Sequence, residues 1–327
     1  MEQTVAGIDV SKLTLDIALT DGALFRFSQF ENTQQGHQQL DAWIKKASTG
    51  NPHICLEATG QYGEAVSEYL HAHGYLVSVV NPAQIKHYGS SKLRRNKTDK
   101  ADAKLIAEYC LREKPAAWTP PPASFKGLQV LVRHLDDLQA ARLQQANRLG
   151  SGVHFPFVVE SLKSTLAFLE DQICQTRKAI QAHIEQDAEL KRRQDLLVSI
   201  TGIGRLTAAK LLGEIRDILE FQNVRQLAAY AGLTPRQFLS GTSVHKKSRL
   251  SKTGNSHLRK ILFLPAISAK HWNPIIRSFC ERLIASNHNP MEVIGAAMRK
   301  LLHIVYGVLK SGRPFDPDYL ENSQALS

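Results

Sequence analysis

Four acidic residues stand where a carboxylate could do chemistry. Asp9 follows directly on a short apolar run with β-branched residues, and Glu57 ends another such run. Asp99 and Asp102 open a segment with a helical pattern, and residues three apart lie on one face of a helix. A carboxylate in a buried strand is costly unless it is paired or binds a metal ion. Because Mg²⁺ prefers oxygen ligands and keeps several waters, these residues predict a magnesium-dependent phosphoryl-transfer site.

Each acid also has an ordinary structural explanation. Asp9 could be a turn residue at the end of a strand, and Glu57 could mark the entry to a helix. Asp99 and Asp102 could be the negative charges that favour the N-terminus of any helix. The placement of all four on successive elements favours metal binding over these separate explanations.

The elements that must position these acids follow from the hydrophobic pattern. Short apolar runs predict five strands, at Thr4–Val10, Leu13–Thr20, Ala23–Phe30, His53–Leu56 and Tyr75–Val80. Helical periodicity predicts three helices, at Gln35–Ala47, Tyr62–His73 and Lys100–Leu111, the last preceded by a basic loop from Lys86 to Lys97. The order βββαβαβα is that of a ribonuclease-H-like domain, which we assign to residues 1–113 of an α/β plus α protein. In that fold the acidic cluster comes from the first strand, the fourth strand and the last helix, where these acids lie.

The next part of the chain is predicted to be helical. A stiff proline-rich linker at 114–122 leads to two long helices, Phe125–Leu149 and Val158–Leu197. Their modest apolar stripes predict a helical hairpin or coiled coil over residues 123–196. Packing within one chain and a dimer contact both fit such stripes.

The mainly helical C-terminal domain, assigned to 197–312 with a polar tail at 313–327, opens on a recognisable turn. Gly202 and Gly204 alternate with apolar residues ahead of a helix with small residues, which is the pattern of a helix-hairpin-helix. Such a turn offers free N–H groups to a phosphate, so Gly202, Gly204 and Arg205 are candidate nucleic-acid contacts. The alternative is a purely structural packing unit.

Positive charge is concentrated in the same part of the chain. The net charge is −1 for residues 1–113, +2 for 114–199 and +10 for 200–327. From Phe221 to Cys280 there are ten Lys and Arg residues and no Asp or Glu. A solvated surface normally mixes both signs, so this stretch predicts contact with nucleic-acid phosphate.

Two sets of basic residues are candidate phosphate contacts. Beside the acids, in a loop that could also be merely solvated, they are Lys92, Arg94, Arg95 and Lys97. In the acid-free stretch they are Arg236, Lys246, Lys247, Arg249, Lys252 and Arg259. Within that stretch a loop with Pro and Gly presents Ser240, where cations could hold a phosphate and stabilise a serine alkoxide. A serine in such a loop is more often only a loop residue, and no Ser–His–Asp triad accompanies it.

The cysteines and the apolar runs exclude other classes of protein. Cys55, Cys110, Cys174 and Cys280 are far apart, so neither a zinc site nor a disulfide framework is indicated. The most apolar run, Ile261–Ile267, is far too short to span a bilayer. We therefore expect reduced thiols in a cytoplasmic bacterial protein that associates with the nucleoid when it acts and has no membrane partner.

Several motifs, in order and over nearly the whole chain, identify this sequence as similar to the DEDD transposases of bacterial insertion sequences, related to the Piv/MooV DNA invertases. They are Gly7–Lys12, Leu56–Gly60, Lys97–Ala103, Gly202–Gly204, Ala231–Pro235, Ser240–Gly241 and Leu250–Asn255. The resemblance implies that the four acids, Asp9, Glu57, Asp99 and Asp102, bind Mg²⁺ in a RuvC-like domain. It also implies that Ser240 is the nucleophile that forms a covalent phosphoserine link to DNA, with Ser243 as a nearby alternative.

The resemblance further implies partners that composition and periodicity do not show. The substrates are donor and target DNA, and many family members choose both with a structured bridge RNA. Members work as dimers that pair into a tetramer, in which the acids of one protomer are completed by the serine domain of another.

Three rival interpretations remain open from the sequence. In a RuvC-like nuclease or junction resolvase, water attacks the phosphate and Ser240 is incidental. A sugar kinase of the actin-like superfold also has a strand like Gly7–Asp9 before a hairpin, although Ser11 and Lys12 replace the glycine that such phosphate loops favour. A non-catalytic scaffold would bind DNA equally well with or without Mg²⁺.

Overall fold

A computed structural model describes residues 4–48, 50–58, 60–92, 98–240 and 244–318. The chain divides into two compact units, Met1–Pro120 and Pro121–Ser327. The boundary falls in the proline-rich segment. Just before it, the backbone N–H of Trp118 donates to the carbonyl of Val77, which attaches this segment to the last strand of the first unit.

The first unit is a five-stranded mixed sheet with helices on both faces. Its strands are β1 (Val5–Val10), β2 (Thr14–Thr20), β3 (Phe25–Glu31), β4 (His53–Glu57) and β5 (Leu76–Val80). Its helices are α1 (Gln34–Ala47), α2 (Gln61–Ala72), α3 (Pro82–Ser91) and α4 (Asp99–Glu113). The strand order is β3-β2-β1-β4-β5, with β1 antiparallel to β2 and parallel to β4.

The alternation of side chains along β1 separates two cores. Ile8 lies in a buried cluster with Leu40 of α1 and Leu70 of α2. Val5 lies in a second cluster with Ile106 of α4. Since side chains of a strand point alternately to opposite faces, the odd-numbered residues of β1 face α4. Asp9 is therefore on the α4 side of the sheet.

The predicted order of strands and helices in this unit is confirmed, with one correction. The segment predicted as a loop from Lys86 to Lys97 is helical in its first part, because α3 extends to Ser91. The Asn81 side chain accepts from the backbone N–H of Ala83, and Pro82 occupies the first helical position. The Asn–Pro pair that directly follows a predicted strand is thus the start of a helix.

In its described residues, 121–240 and 244–318, the second unit consists of helices and one β-hairpin. Its helices are α5 (Ala123–Gly150), α6 (Pro156–Glu185), α7 (Ala188–Val198), α8 (Arg205–Ile215), α9 (Val224–Tyr230), α10 (Ser256–Trp272), α11 (Pro274–Ala285) and α12 (Pro290–Ser311). Its strands are β6 (Pro235–Ser240) and β7 (Val244–Leu250), which pair antiparallel. Within the described ranges, no helix is both long enough and apolar enough to cross a bilayer.

Helices α5 and α6 form an antiparallel pair. Near one end, the His183 ring nitrogen lies 2.7 Å from the carbonyl oxygen of Ser124. Further along, Arg142 Nη1 donates to Glu170 Oε1 at 3.4 Å. Residues near the start of α5 thus contact residues near the end of α6, and later residues of α5 contact earlier residues of α6. This is the arrangement of a helical hairpin.

Two further predictions about this unit are wrong. The helix predicted from Val158 to Leu197 is interrupted, because the Asp187 side chain accepts from the backbone N–H groups of Glu189 and Leu190 and starts a new helix. The predicted loop that presents Ser240 is instead a strand ending at that residue. The apolar residues of this strand do not alternate, and its partner β7 is rich in basic residues, so neither strand was evident from the sequence.

Candidate active site and nucleic-acid interface

Strand β1 and helix α4 are in direct backbone contact. A Cβ atom at Gly7 would lie 2.2 Å from the backbone nitrogen of Ala107 and 2.4 Å from the carbonyl oxygen of Ala103. Only glycine permits this approach, because no other residue lacks a Cβ. Asp9 is two residues further along the same face of β1, and Asp99 is four residues before Ala103 on α4. The strand and helix therefore carry both carboxylates towards the same end of the sheet.

The electrostatics of Asp9 show that the predicted acids converge. Burial has the largest effect, and together with the neighbouring charges of Asp102, Asp99, Glu57 and Asp16, in that order of effect, it raises the pKa of this half-buried carboxyl to about 6. A like charge that is close enough to raise a pKa disfavours ionisation of its neighbour. Asp9 thus lies near the other three acids predicted from the sequence.

The parallel pairing of β1 with β4 explains the position of Glu57. Ile8 pairs with Leu56, so the next residue of each strand, Asp9 in β1 and Glu57 in β4, lies at the same edge of the sheet. Helix α4 contributes the other two acids from its first turn, where the Thr98 side chain caps the helix by accepting from the N–H of Ala101. The ordinary explanation of Asp99 and Asp102 as helix-terminal charges holds as well, and it does not compete with their convergence.

The acid cluster fits a hard divalent cation in its chemistry. Its donors are all carboxylate oxygens, and the repulsion that raises the pKa of Asp9 is relieved by a cation bound among them. In the described ranges, however, no group of three or more His, Cys, Asp or Glu side chains is already arranged as ligands of one ion. The carboxylates would have to rotate towards the ion when it binds.

The sequence analysis missed one acid of this cluster. Asp16 lies directly opposite Asp9 in the antiparallel pair of β1 with β2. Both of its carboxylate oxygens accept from Gln29 Nε2, each at 3.0 Å. The two predicted strands could have revealed it, because a short turn between Val10 and Thr14 sets the register that places Asp16 opposite Asp9.

Of the basic residues predicted beside the acids, the structure describes only Lys92. Lys92 donates to Glu108 Oε2 at 2.5 Å, and its Nζ lies 4.8 Å from the centroid of the Tyr88 ring. Lys92 is thus engaged within its own unit. The structure does not describe Arg94, Arg95 and Lys97.

The β6–β7 hairpin carries the predicted nucleophile. The backbone of Ser240 pairs with Val244, next to the hairpin tip. The side chains of Ser240, Arg236, Lys246, Lys247 and Arg249 lie outside the described part of the structure, as does all of Ser243. The structure therefore gives the strand position of Ser240 and leaves the choice between the two serines as a prediction.

Arg259 contacts the base of this hairpin. Its Nη1 donates to the carbonyl oxygens of Ala231 at 3.0 Å and of Gly254 at 3.3 Å, on the two chain segments that lead into and out of the hairpin. Arg259 was predicted to contact nucleic acid, and these bonds give it a structural task in addition. Lys252, on the outgoing segment, is exposed and has a positive φ of 55°.

The two glycines of the predicted helix-hairpin-helix turn have different surroundings. Gly202 has a φ of +104°, and a Cβ there would lie 3.1 Å from the Cβ of Ala269 in α10. Gly204 is the N-cap of α8, with no side-chain cap bond, and a Cβ there would meet nothing within 4 Å. Gly202 therefore serves packing, whereas Gly204 and the exposed Arg205 are open to a partner.

The chain is similar to known transposases along both units. Residues 6–156 match the family of IS110-type DEDD transposases, and residues 194–281 match the transposase family IS116/IS110/IS902. The pilin gene-inverting proteins of Moraxella bovis and Moraxella lacunata are each 34% identical over 319 residues, covering 97% of this chain and 98% of the relative. The transposase of insertion sequence element IS1111A from Coxiella burnetii is 27% identical over 236 residues, covering 64% of this chain and 63% of the relative.

Proposed function

Because the chain belongs to the IS110 family of DEDD transposases, an established family of DNA-recombining enzymes, we propose that it cuts and rejoins DNA through a covalent serine–DNA intermediate. The observation that supports this proposal is the convergence of Glu57, Asp99 and Asp102 on Asp9 at one edge of the sheet. A catalytic cluster explains why the fold tolerates four repelling carboxylates there.

In this proposal the first unit is a ribonuclease-H-like domain of the RuvC type, and its acids hold the metal. Asp9, Glu57, Asp99 and Asp102 would bind Mg²⁺, with Gly7 fixing the spacing of β1 and α4. When bound, Mg²⁺ supplies charge neutralisation at the phosphate oxygens as negative charge builds up on them. The carboxylates also restrict where a phosphodiester can approach, because they repel it wherever no cation intervenes.

The serine performs the exchange in a balanced step. Ser240 Oγ forms a bond to phosphorus as the bond from phosphorus to a deoxyribose oxygen breaks. The serine proton passes to solvent, and the leaving oxygen takes up a proton. One phosphate ester replaces another, so the strand can later be rejoined by the reverse step without an external energy source.

The second unit supplies nucleic-acid contacts in this proposal. The turn at Gly204 and Arg205, built as a helix-hairpin-helix, would bind a backbone phosphate, and the acid-free stretch would extend that surface. Donor and target DNA are the substrates, a structured bridge RNA selects them, and dimers held in part by the α5–α6 coiled coil pair into a tetramer. The names of the relatives, which refer to pilin gene inversion and to insertion sequences, are consistent with strand exchange of this kind.

The test is to trap the covalent intermediate. Full-length protein, purified with its copurifying nucleic acid, is incubated with Mg²⁺ and an end-labelled duplex copied from the DNA that flanks its own gene. We expect a labelled protein–DNA adduct on denaturing gels for wild type and Ser243→Ala, and none for Ser240→Ala or Asp102→Asn. Ser240→Ala should still bind the duplex. Treatment with RNase before the reaction should remove the adduct if a bridge RNA is required.

Other outcomes would assign the chemistry differently. An adduct lost with Ser243→Ala and kept with Ser240→Ala would move the nucleophile to Ser243. Cleavage by wild type and by both serine variants, without any adduct, would instead identify a nuclease that uses water, for which the acid cluster alone is sufficient.

A further inference from the structure

The base of the β6–β7 hairpin is joined closely to the start of α10. The backbone N–H of Asn255 donates to the carbonyl of Tyr230 at 2.7 Å, and that of Lys252 donates to Gly232 at 3.1 Å. A Cβ at Gly254 would lie 2.2 Å from the carbonyl oxygen of Tyr230. The incoming and outgoing segments of the hairpin therefore touch backbone to backbone, with no space for either to shift independently.

Asn255 uses both ends of its side-chain amide at this junction. Its Oδ1 accepts from the N–H of Leu258 at 3.0 Å and so caps α10. Its Nδ2 donates to Glu214 Oε2 at 2.8 Å and to the Tyr230 hydroxyl at 3.2 Å. The cap orients the helix, and the Nδ2 bonds attach this helix start to Glu214 of α8 and to Tyr230 at the end of α9.

Glu214 makes that attachment rigid. Its side chain is 1% exposed, and its two oxygens accept from Arg133 Nε at 2.8 Å and Nη2 at 3.0 Å in a two-pronged ion pair with α5. The bonds from Arg133 and Asn255 keep the pKa of Glu214 below its usual range against the opposing effect of burial. A buried carboxylate bonded on several sides has little freedom to move.

We propose that Asn255 and Glu214 are positioning residues for strand exchange, which hold the base of the hairpin so that Ser240 is presented in one place. The pair connects the long helix α5, through Arg133 and Glu214, to the segment that leaves the hairpin. This inference rests on the proposed function, because it assigns the pair a task only if the hairpin carries the nucleophile. Neither residue touches the phosphate in this proposal.

The variant Asn255→Asp separates the two bonds of the amide. Aspartate caps a helix about as well as asparagine, so the bond from Leu258 is retained. The donor to Glu214 is lost, and a second carboxylate is placed beside the first. The matched control is Asn223→Asp, since Asn223 caps α9 by accepting from Arg225 and Gln226.

The first readout is hydrogen exchange at the hairpin base, which needs no activity. We expect Asn255→Asp to exchange the amides of Ser251 and Lys252 at least 10-fold faster than wild type and Asn223→Asp, because these amides donate across the base to Thr234 and Gly232. Unchanged exchange in Asn255→Asp would overturn the proposal.

The second readout is the single-turnover rate of adduct formation. We expect a loss of about 100-fold for Asn255→Asp, the size that a misplacement of about 1 Å can cause, with the dissociation constant for the duplex within about 2-fold of wild type. Asn223→Asp should react at the wild-type rate. Equal rates for the two variants would overturn the positioning role. Absence of any adduct from wild type would instead overturn the proposed function. The hydrogen-exchange result would then still show whether Asn255 and Glu214 hold the base of the hairpin.

A second substitution distinguishes positioning from simple loss of stability. In Glu214→Gln combined with Asn255→Asp, the new amide at 214 can donate to the new carboxylate at 255, which restores a bond in the reverse direction. We expect this double variant to form the adduct at least 5-fold faster than Asn255→Asp, although the ion pair between position 214 and Arg133 is lost and only a hydrogen bond to the amide oxygen can remain. A double variant no faster than the single one would contradict the pairwise role.

Discussion

A Cβ atom on Gly7 would lie 2.4 Å from the carbonyl oxygen of Ala103, so β1 and α4 meet without side chains between them. This contact sets the spacing of the elements that carry Asp9 and Asp102. Its consequences for stability and for the acid cluster can be tested separately.

We expect Gly7→Ala to destabilise the protein by about 1–3 kcal/mol or more, because the methyl group can be accommodated only if the strand or helix backbone moves. Gly50→Ala is the control, since a Cβ there would meet nothing within 4 Å. Thermal unfolding measures both. If Gly7→Ala has the same melting temperature as Gly50→Ala and wild type, β1 and α4 are further apart at Gly7 than described above.

Asp9→Asn tests the metal site without relying on catalysis. The raised pKa of Asp9 means that its ionised form is disfavoured in the folded state, so a neutral amide should stabilise the metal-free protein at neutral pH. Because the carboxyl is only half buried and solvent screens it, we expect about 1 kcal/mol, less than the full shift would give. Mg²⁺ should raise the melting temperature of wild type and have little effect on the variant. Asp21→Asn, in an exposed turn of the same unit, should respond to Mg²⁺ like wild type. An equal response in Asp9→Asn would remove Asp9 from the metal site.

Local signals made much of the first unit predictable. Asp9 and Glu57 end apolar runs, and Asp99 begins a helix whose cap, Thr98, immediately precedes it. Such signals depend on a few neighbouring residues, and so strand and helix order can be derived without knowing the packing. Helix α3, which includes the first part of the predicted loop, was not predicted because Asn81 and Pro82 fit the end of a strand and the start of a helix equally well.

Long-range partners were not predictable in the same way. Glu214 and Asn255 are 41 positions apart, and nothing in the periodicity of either segment indicates that a buried carboxylate meets that amide. Asp16 was missed for a related reason, since its importance comes from its register against Asp9. The strand that follows Ser240 carries charged residues where apolar ones would normally alternate, and so composition concealed the hairpin.

Glu189 provides a pH-dependent contribution to the stability of the second unit. Its bond from Arg192, with a further one from Arg193, lowers the pKa of this carboxyl to about 2. Because the folded-state pKa lies below the usual value of 4.5, the stabilisation is present at neutral pH and is lost as the pH falls from 4.5 through about 2. Its side chain is 42% exposed, so solvent screening limits the effect.

We therefore expect Glu189→Gln to lower the free energy of unfolding by about 0.5–1 kcal/mol at pH 7 and by progressively less below pH 4.5. Glu281→Gln is the control, because Glu281 is paired with Arg277 at 3.9 Å, both side chains are more than half exposed, and the pair should contribute little. Urea unfolding at pH 7, 4.5 and 3 measures both variants. If the difference in unfolding free energy between Glu189→Gln and wild type grew towards pH 3, the pKa of Glu189 would not be lowered by folding.

The two glycines of the turn before α8 should separate folding from nucleic-acid binding. Gly202→Ala places a side chain at a positive φ and against Ala269, so it should lower the melting temperature by several degrees.

Gly204→Ser should leave stability unchanged or raise it, because serine is a better N-cap than glycine. If the open N-terminus of α8 binds a phosphate, the added side chain should weaken binding of a labelled duplex by about 5-fold or more, measured by fluorescence anisotropy at fixed salt. Gly150→Ser, also in open space, is the control. Full DNA affinity in Gly204→Ser would restrict this turn to a packing role.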